Sequence, residues 1–334
     1  MDINDLSNKV LFLEDLQSLY GAGSVSTPKQ VILSAEDAIE DETVSEVILD
    51  ETYYGDFDGL INLDYRDVVS RRIVPVYPTL ETAPLAPEDS GGYIDLSLSF
   101  SGDIKKFTAN GFSSDAKNRI SDIDYLAIPE KCQIFLNLYA GWDSFSISLI
   151  SGSRTCELIK QPESVSNGKG FYAYLFNAEY LNTHGAPFQF IVKAVKSGVE
   201  TILKSCVYQC FSRRFEQFVF SGRLGGYVSF PMGGTLELAP EYEITSETFH
   251  DRIGKVSGQG TLGLKMNTGG LTMKSAAVLS ELLLSDYIFH RVGKEWKRIV
   301  IDSPEMSFRS SDSLQFGNFS FKYADEVHAR DVII

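Results

Sequence analysis

The residues in this chain that could do chemistry are scattered, and each pattern they make is incomplete. Gly258-Gln259-Gly260-Thr261-Leu262-Gly263 fits G-x-G-x-x-G. A dinucleotide site needs a strand before that run and a helix after it, whose N-terminus meets the pyrophosphate. Asn267-Thr268-Gly269-Gly270 follows too soon for a helix to start, so the run is expected to be a flexible β loop. Asp56, Asp58 and Asn62 fall at positions three, five and nine of an EF-hand loop centred on Gly59. Tyr54 and Tyr65 hold the two end positions, where calcium wants charged oxygen ligands, so an acidic turn is expected instead. His184, His250, His290 and His328 lie far apart, with no HExxH and no G-x-S-x-G. Cys206 and Cys210 sit four residues apart on a predicted strand, about 13 Å, beyond disulfide reach. Cys132 and Cys156 have no CxxC spacing, so zinc has no support. The 45 acidic residues permit many carboxylate pairs for glycoside hydrolysis, but spacing in sequence selects none. No catalytic, cofactor or metal residue is therefore assigned. Tyr53, Tyr54, Trp142, Tyr172, Tyr174 and Tyr227 could stack on sugars, although alternation puts many of them on a buried face.

The elements that would position these residues are mostly strands. The chain holds 22 Phe and 16 Tyr among 334 residues, and aromatic and β-branched residues fit a pleated surface. Ile94, Leu96, Leu98 and Phe100 alternate with polar residues. So do Phe145, Ile147 and Leu149, and Phe319, Phe321 and Tyr323. This period marks strands with one buried and one solvated face, as in antiparallel sheets. The spacing predicts helices over residues 3–20 and Lys274 to Leu284, and a linker over residues 78–92. The predicted fold is mostly β: two antiparallel β-sandwich-like domains, 61–210 and 211–334, behind an acidic N-terminal helical and extended arm, 1–60. Phe135–Phe145 also aligns on Phe220–Phe230. Each reads as strand, glycine turn, strand, with Gly141 and Gly226 turning the chain and Trp142 and Tyr227 packing beside it.

Charge is uneven. Residues 1–60 carry 14 acids and 2 bases, net −12; the rest carry 31 and 28, net −3, which together give the −15 of the chain. With no basic stripe, nucleic acid is a poor partner. The acidic start is unlike a secretory signal, and no run reaches the roughly 18 apolar residues of a membrane span, so synthesis in a cytoplasm without membrane insertion is expected. The N-terminal arm should dock on a partner through Leu6, Val10 and Leu13, with Glu40, Asp41 and Glu42 facing basic groups or water.

Three stretches resemble tail-module structural proteins of phages and prophages of Bacteroides-like bacteria. One is Tyr54–Asp64, with its aspartate–x–aspartate–glycine segment. Another is Phe135–Phe145, with leucine–asparagine followed by glycine–tryptophan–aspartate. The third runs in pieces through Leu283–Asp286, Trp296–Ile301, Phe319–Phe321 and Ala324. The resemblance implies a non-enzymatic virion component of the tail, made in the bacterial host cytoplasm, whose partners are copies of itself and other tail proteins. A carbohydrate- or receptor-binding module at a tail tip is the second reading, and a β-sandwich glycoside hydrolase the third.

Overall fold

The computed structural model describes residues 1–39, 42–73, 92–111, 113–114, 128–129, 132–151, 154–161, 169–177, 188–208, 210–211, 214–223, 225–249, 252–307 and 312–324. The protein is mostly β, with several antiparallel sheets, one of them curled into a half-barrel.

The N-terminal part contains β1 (Val10–Phe12), β2 (Leu19–Ala22), β3 (Lys29–Ile39), β4 (Glu42–Tyr53), β5 (Leu60–Leu63), the short helix α1 (Arg66–Ser70), β6 (Tyr93–Phe100) and β7 (Asp103–Asn110). Five of these strands form a sheet in the order β1-β7-β6-β3-β4, and β2 pairs with β5. β1 runs parallel to β7; the other neighbours are antiparallel.

The helix expected over 3–20 is absent. Residues 3–5 and 13–18 are 3₁₀ turns on either side of β1. Asn8 takes a left-handed φ of 60°, which no helix interior accommodates. An isolated helix of this length is marginal in water, and pairing Val10–Phe12 with Thr108–Asn110 offers the backbone a better partner. Leu6 is fully buried in the chain's own core, beside Leu11, Leu16, Leu19, Leu33, Leu96 and Leu98. Leu13 is half-buried against that core, and Val10 is half-buried on β1. Glu40 and Asp41 lie outside the described residues, and Glu42 begins β4. The boundary expected at residue 60 falls on β5, and β3 takes β6 as a neighbour from beyond it.

The remaining strands are β8 (Ile128–Pro129), β9 (Gln133–Tyr139), β10 (Ser144–Ser151), β11 (Arg154–Gln161), β12 (Phe171–Asn177), β13 (Phe188–Lys196), β14 (Val199–Tyr208), β15 (Cys210–Phe211), β16 (Glu216–Ser221), β17 (Tyr227–Met232), β18 (Leu236–Phe249), β19 (Arg252–Asn267), β20 (Ile288–Val292), β21 (Glu295–Ser307) and β22 (Phe316–Tyr323). The helix α2 (Met273–Leu284) lies where its spacing predicts, and the Thr272 hydroxyl caps it by accepting from Ser275 N at 3.3 Å. The strands expected at 94–100, 145–149 and 319–323 are β6, β10 and β22. The sheets have the orders β11-β10-β13-β14, β12-β9, β15-β8 and β17-β16-β20-β21-β22-β19-β18.

One apolar core runs from Cys132 to Phe321, across the boundary expected at 210. Phe145 on β10 packs on Tyr172 and Tyr174 of β12 at 5.5 and 5.9 Å between ring centres, joining two sheets. The N-terminal part joins this body through Phe12, Tyr139 and Phe171, at 5.8 and 5.4 Å. Lys169 Nζ also reaches Asp95 at 2.8 Å.

The two echoed segments differ in role. β16 and β17 form a hairpin, with Gly222 to Gly226 in its turn. β9 and β10 do not pair; the turn at Gly141 carries the chain from the β12-β9 ribbon to the four-stranded sheet. The segments pack on each other: Phe135 meets Tyr227 at 5.3 Å, and Asn137 Nδ2 donates to Tyr227 O at 3.0 Å. Gly226 is required there, since a Cβ would lie 2.5 Å from the Asn137 side chain. Tyr227 is buried and Trp142 only half-buried.

Candidate functional site

Three places in the described residues could act: a buried polar network, a cleft, and the surface features that strand pairing leaves unmatched. The network is built on the seven-stranded sheet. β16 and β20 are antiparallel neighbours, so Phe218 faces His290 across the ladder, and Glu216 lies two residues along. His290 Nε2 is 3.1 Å from Glu216 Oε2, and Nδ1 is 3.0 Å from Tyr323 Oη. With its proton on Nε2, the imidazole donates to the carboxylate and accepts from the phenol. Burial, with the Glu216 charge adding to it, pushes the Tyr323 hydroxyl up to about 12, so it stays a neutral donor at ordinary pH. The ring is stacked on Phe218 at 4.8 Å and is 2% exposed. A carboxylate, an imidazole and a phenol could relay a proton, but a substrate would have no room against so covered a ring. The arrangement satisfies polar groups inside an aromatic core. Sequence spacing gave no sign of it, because its members are 33 and 74 residues apart. His184, His250 and His328 lie outside the described residues.

The cleft opens between the N-terminal part and the β16–β17 hairpin, and has a volume of about 250 Å³. Leu13 and Ile73 line one side; Arg223, Leu284, Asp286 and Tyr287 line the other. The Ser285 hydroxyl there is spent on Ser221 O and Tyr287 O, at 3.1 and 3.2 Å. Ser70, Ser221, Arg223 and Asp286 add polar groups to a lining that is otherwise apolar or glycine.

The remaining expectations resolve locally. Gly258–Gly263 lies within β19, paired with Ile244–Ala239 of β18, so it is strand and not the loop expected. The Asp56 carboxylate is used inside its own turn: Oδ1 accepts from Asp58 N at 3.0 Å and from Leu60 N at 2.8 Å. Among the described residues no three His, Cys, Asp or Glu gather as metal ligands. Cys132 is buried and Cys156 exposed on β11. Of the six aromatics considered for sugar stacking, Tyr172, Tyr174 and Tyr227 are buried, Tyr53 and Trp142 half-buried, and Tyr54 exposed. No described helix is long and apolar enough to cross a membrane.

What stands out is unmatched strand. β22 pairs with β19 only over Leu264–Asn267. Beyond that point, among the described residues, β18 and β19 pair only with each other, as a two-stranded arm that reaches Phe249 and Arg252. Eleven residues of strand make it about 35 Å long at ~3.3 Å per residue. Leu238, at its root, is 66% exposed. β4 similarly has one described neighbour, β3, and its Val44 and Val47 are exposed. A scan against protein-family models finds no match, and a search of curated proteins finds no relative.

Proposed function

We propose that this chain is a structural or adaptor protein of a phage tail, non-enzymatic, acting through protein–protein contacts as a repeated subunit. The β18–β19 arm carries the reading. A two-stranded ribbon by itself is marginally stable in water, and backbone edges with no neighbour among the described residues invite another chain. Such an arm gains its order by pairing or packing on a neighbour, and a head-to-tail contact of this kind generates rings or tubes. The resemblance at Tyr54–Asp64 and Phe135–Phe145 supports a tail as the setting. β-sandwich-like layering, supported by the packing of β10 on β12, supplies the stiff body that a subunit needs.

The test is sedimentation velocity with negative-stain imaging of the full chain and of a variant whose arm, residues 241–261, is replaced by a tight Asn-Gly turn. The full chain is expected to form discrete closed or tubular assemblies, and the shortened chain to be a folded monomer with an unchanged melting temperature. A full chain that stays monomeric at high concentration sinks the reading. So does a shortened chain that assembles as well as the full one.

A further inference from the structure

We propose that the β4–β5 turn is a docking knob, anchored by Phe57, for an unlike protein that offers an apolar pocket rimmed by basic side chains. Phe57 is 99% exposed. It occupies the second position of a tight turn in which Gly59 N donates to Asp56 O at 3.0 Å, and Gly59 takes a φ of 74°. Besides the two backbone amides it accepts, the Asp56 carboxylate takes Asn62 Nδ2 at 3.4 Å. The turn is also stitched to the neighbouring strap: Gly23 N donates to Gly59 O at 2.8 Å, and Gly55 N to Ser24 O at 2.9 Å. Gly23 and Gly55 allow this approach, because a Cβ on either would come within 2.6 Å of its neighbours. The ring is thus held out on a rigid support.

That rigidity is the argument. A type I turn accepts nearly any residue at its second position, and a polar one would cost nothing in solvent. Single exposed apolar side chains are ordinary. Here they are grouped. Tyr54 is 61% exposed in the same loop, and Leu60 and Tyr20 are diagonal neighbours on the outer face of the β2–β5 ribbon. Aromatic residues presented without an ordering cost make the anchors of protein interfaces.

Charge decides the partner. Exposed Asp56 and Asp58 flank Phe57 in the turn, and the first sixty residues carry net −12. A second copy would bring the same charge to the contact, whereas a basic rim complements it. This goes beyond self-assembly through the arm. A chain that assembles normally but whose Phe57 is dispensable would leave that reading intact and overturn this one.

The experiment pans the full-length chain, wild type and Phe57→Ala, against a library of disulfide-closed random peptides. Binders are then measured at low and high salt, beside sedimentation velocity and flotation with phosphatidylcholine vesicles. The expected binders combine Lys or Arg with an apolar side chain. They should bind Phe57→Ala at least tenfold more weakly, and weaken with Asp58→Asn and with salt, while the melting temperature of each variant stays that of wild type. A selection with no Phe57-dependent binder overturns the proposal. Binders without basic residues, self-association lost in Phe57→Ala, or vesicle flotation lost in Phe57→Ala each overturn it too.

Discussion

Leu16→Ala separates an N-terminal segment that belongs to the core from one that merely docks. Leu16 lies in the 3₁₀ turn before β2, is fully buried, and its carbonyl accepts from Tyr65 N at 3.1 Å. The substitution removes three carbon groups, worth about 2.4 kcal/mol at ~0.8 kcal/mol each. The cavity left behind adds about 1 kcal/mol, giving about 3–4 kcal/mol in all, within the usual range for a buried leucine. Both tryptophans, Trp142 and Trp296, lie outside the N-terminal part, so their fluorescence is a poor reporter. Amide hydrogen exchange in peptides from β3 and β6 is the direct assay. A loss of about 3 kcal/mol should speed exchange there about a hundredfold. At an m-value of about 1.5 kcal/mol/M, the urea midpoint should fall by about 2 M. A solvent-facing leucine on a docking helix would cost less than about 0.5 kcal/mol. A change that small in the β3 and β6 peptides would refute the placement of residues 1–22 in the core.

Three further outcomes follow from the packing. Gly226→Ala should cost about 1–3 kcal/mol by forcing a methyl against Asn137, and the double variant with Asn137→Ala should cost less than the two singles added, as read by a denaturation cycle. Phe12→Ala should cost about 3–5 kcal/mol and make β1 and β7 exchange independently of β9 and β12, because Phe12 bridges the two parts; unaltered co-protection in exchange would count against that bridge. Tyr53 and Tyr323 are both raised to about 12 by burial first, with a neighbouring glutamate adding to it. A folded-state value above the unfolded 10 gives stability that is complete below pH 10 and lost as pH rises toward 12. The melting temperature should therefore fall steeply over that window, and less steeply in Tyr323→Phe. Tyrosinate absorbance that develops fully before unfolding would contradict the burial.

The sequence by itself determined the β character and the positions of several elements. Alternation at Tyr93–Phe100, Ser144–Leu149 and Phe319–Tyr323 is a local signal, since one face of each strand is buried whatever its neighbours are. The α2 helix carried its own cap and spacing. The incompleteness of the Asp56 loop and of the glycine run could also be read from the residues. Tertiary structure decided the rest. Ile3, Leu6, Val10 and Leu13 have helical spacing, but a parallel pairing with β7, nearly a hundred residues away, outweighs a helix that is marginal alone. Gly141 and Gly226 sit in similar local sequences, yet one turn closes a hairpin and the other changes sheet, because the partner strands lie elsewhere in the chain. The Glu216–His290–Tyr323 network was invisible for the same reason: register across β16, β20 and β22 brings it together, and register is set by the whole sheet. The exposure of Phe57 is likewise a property of the finished surface, since an aromatic residue in a sequence is ordinarily expected to lie inside.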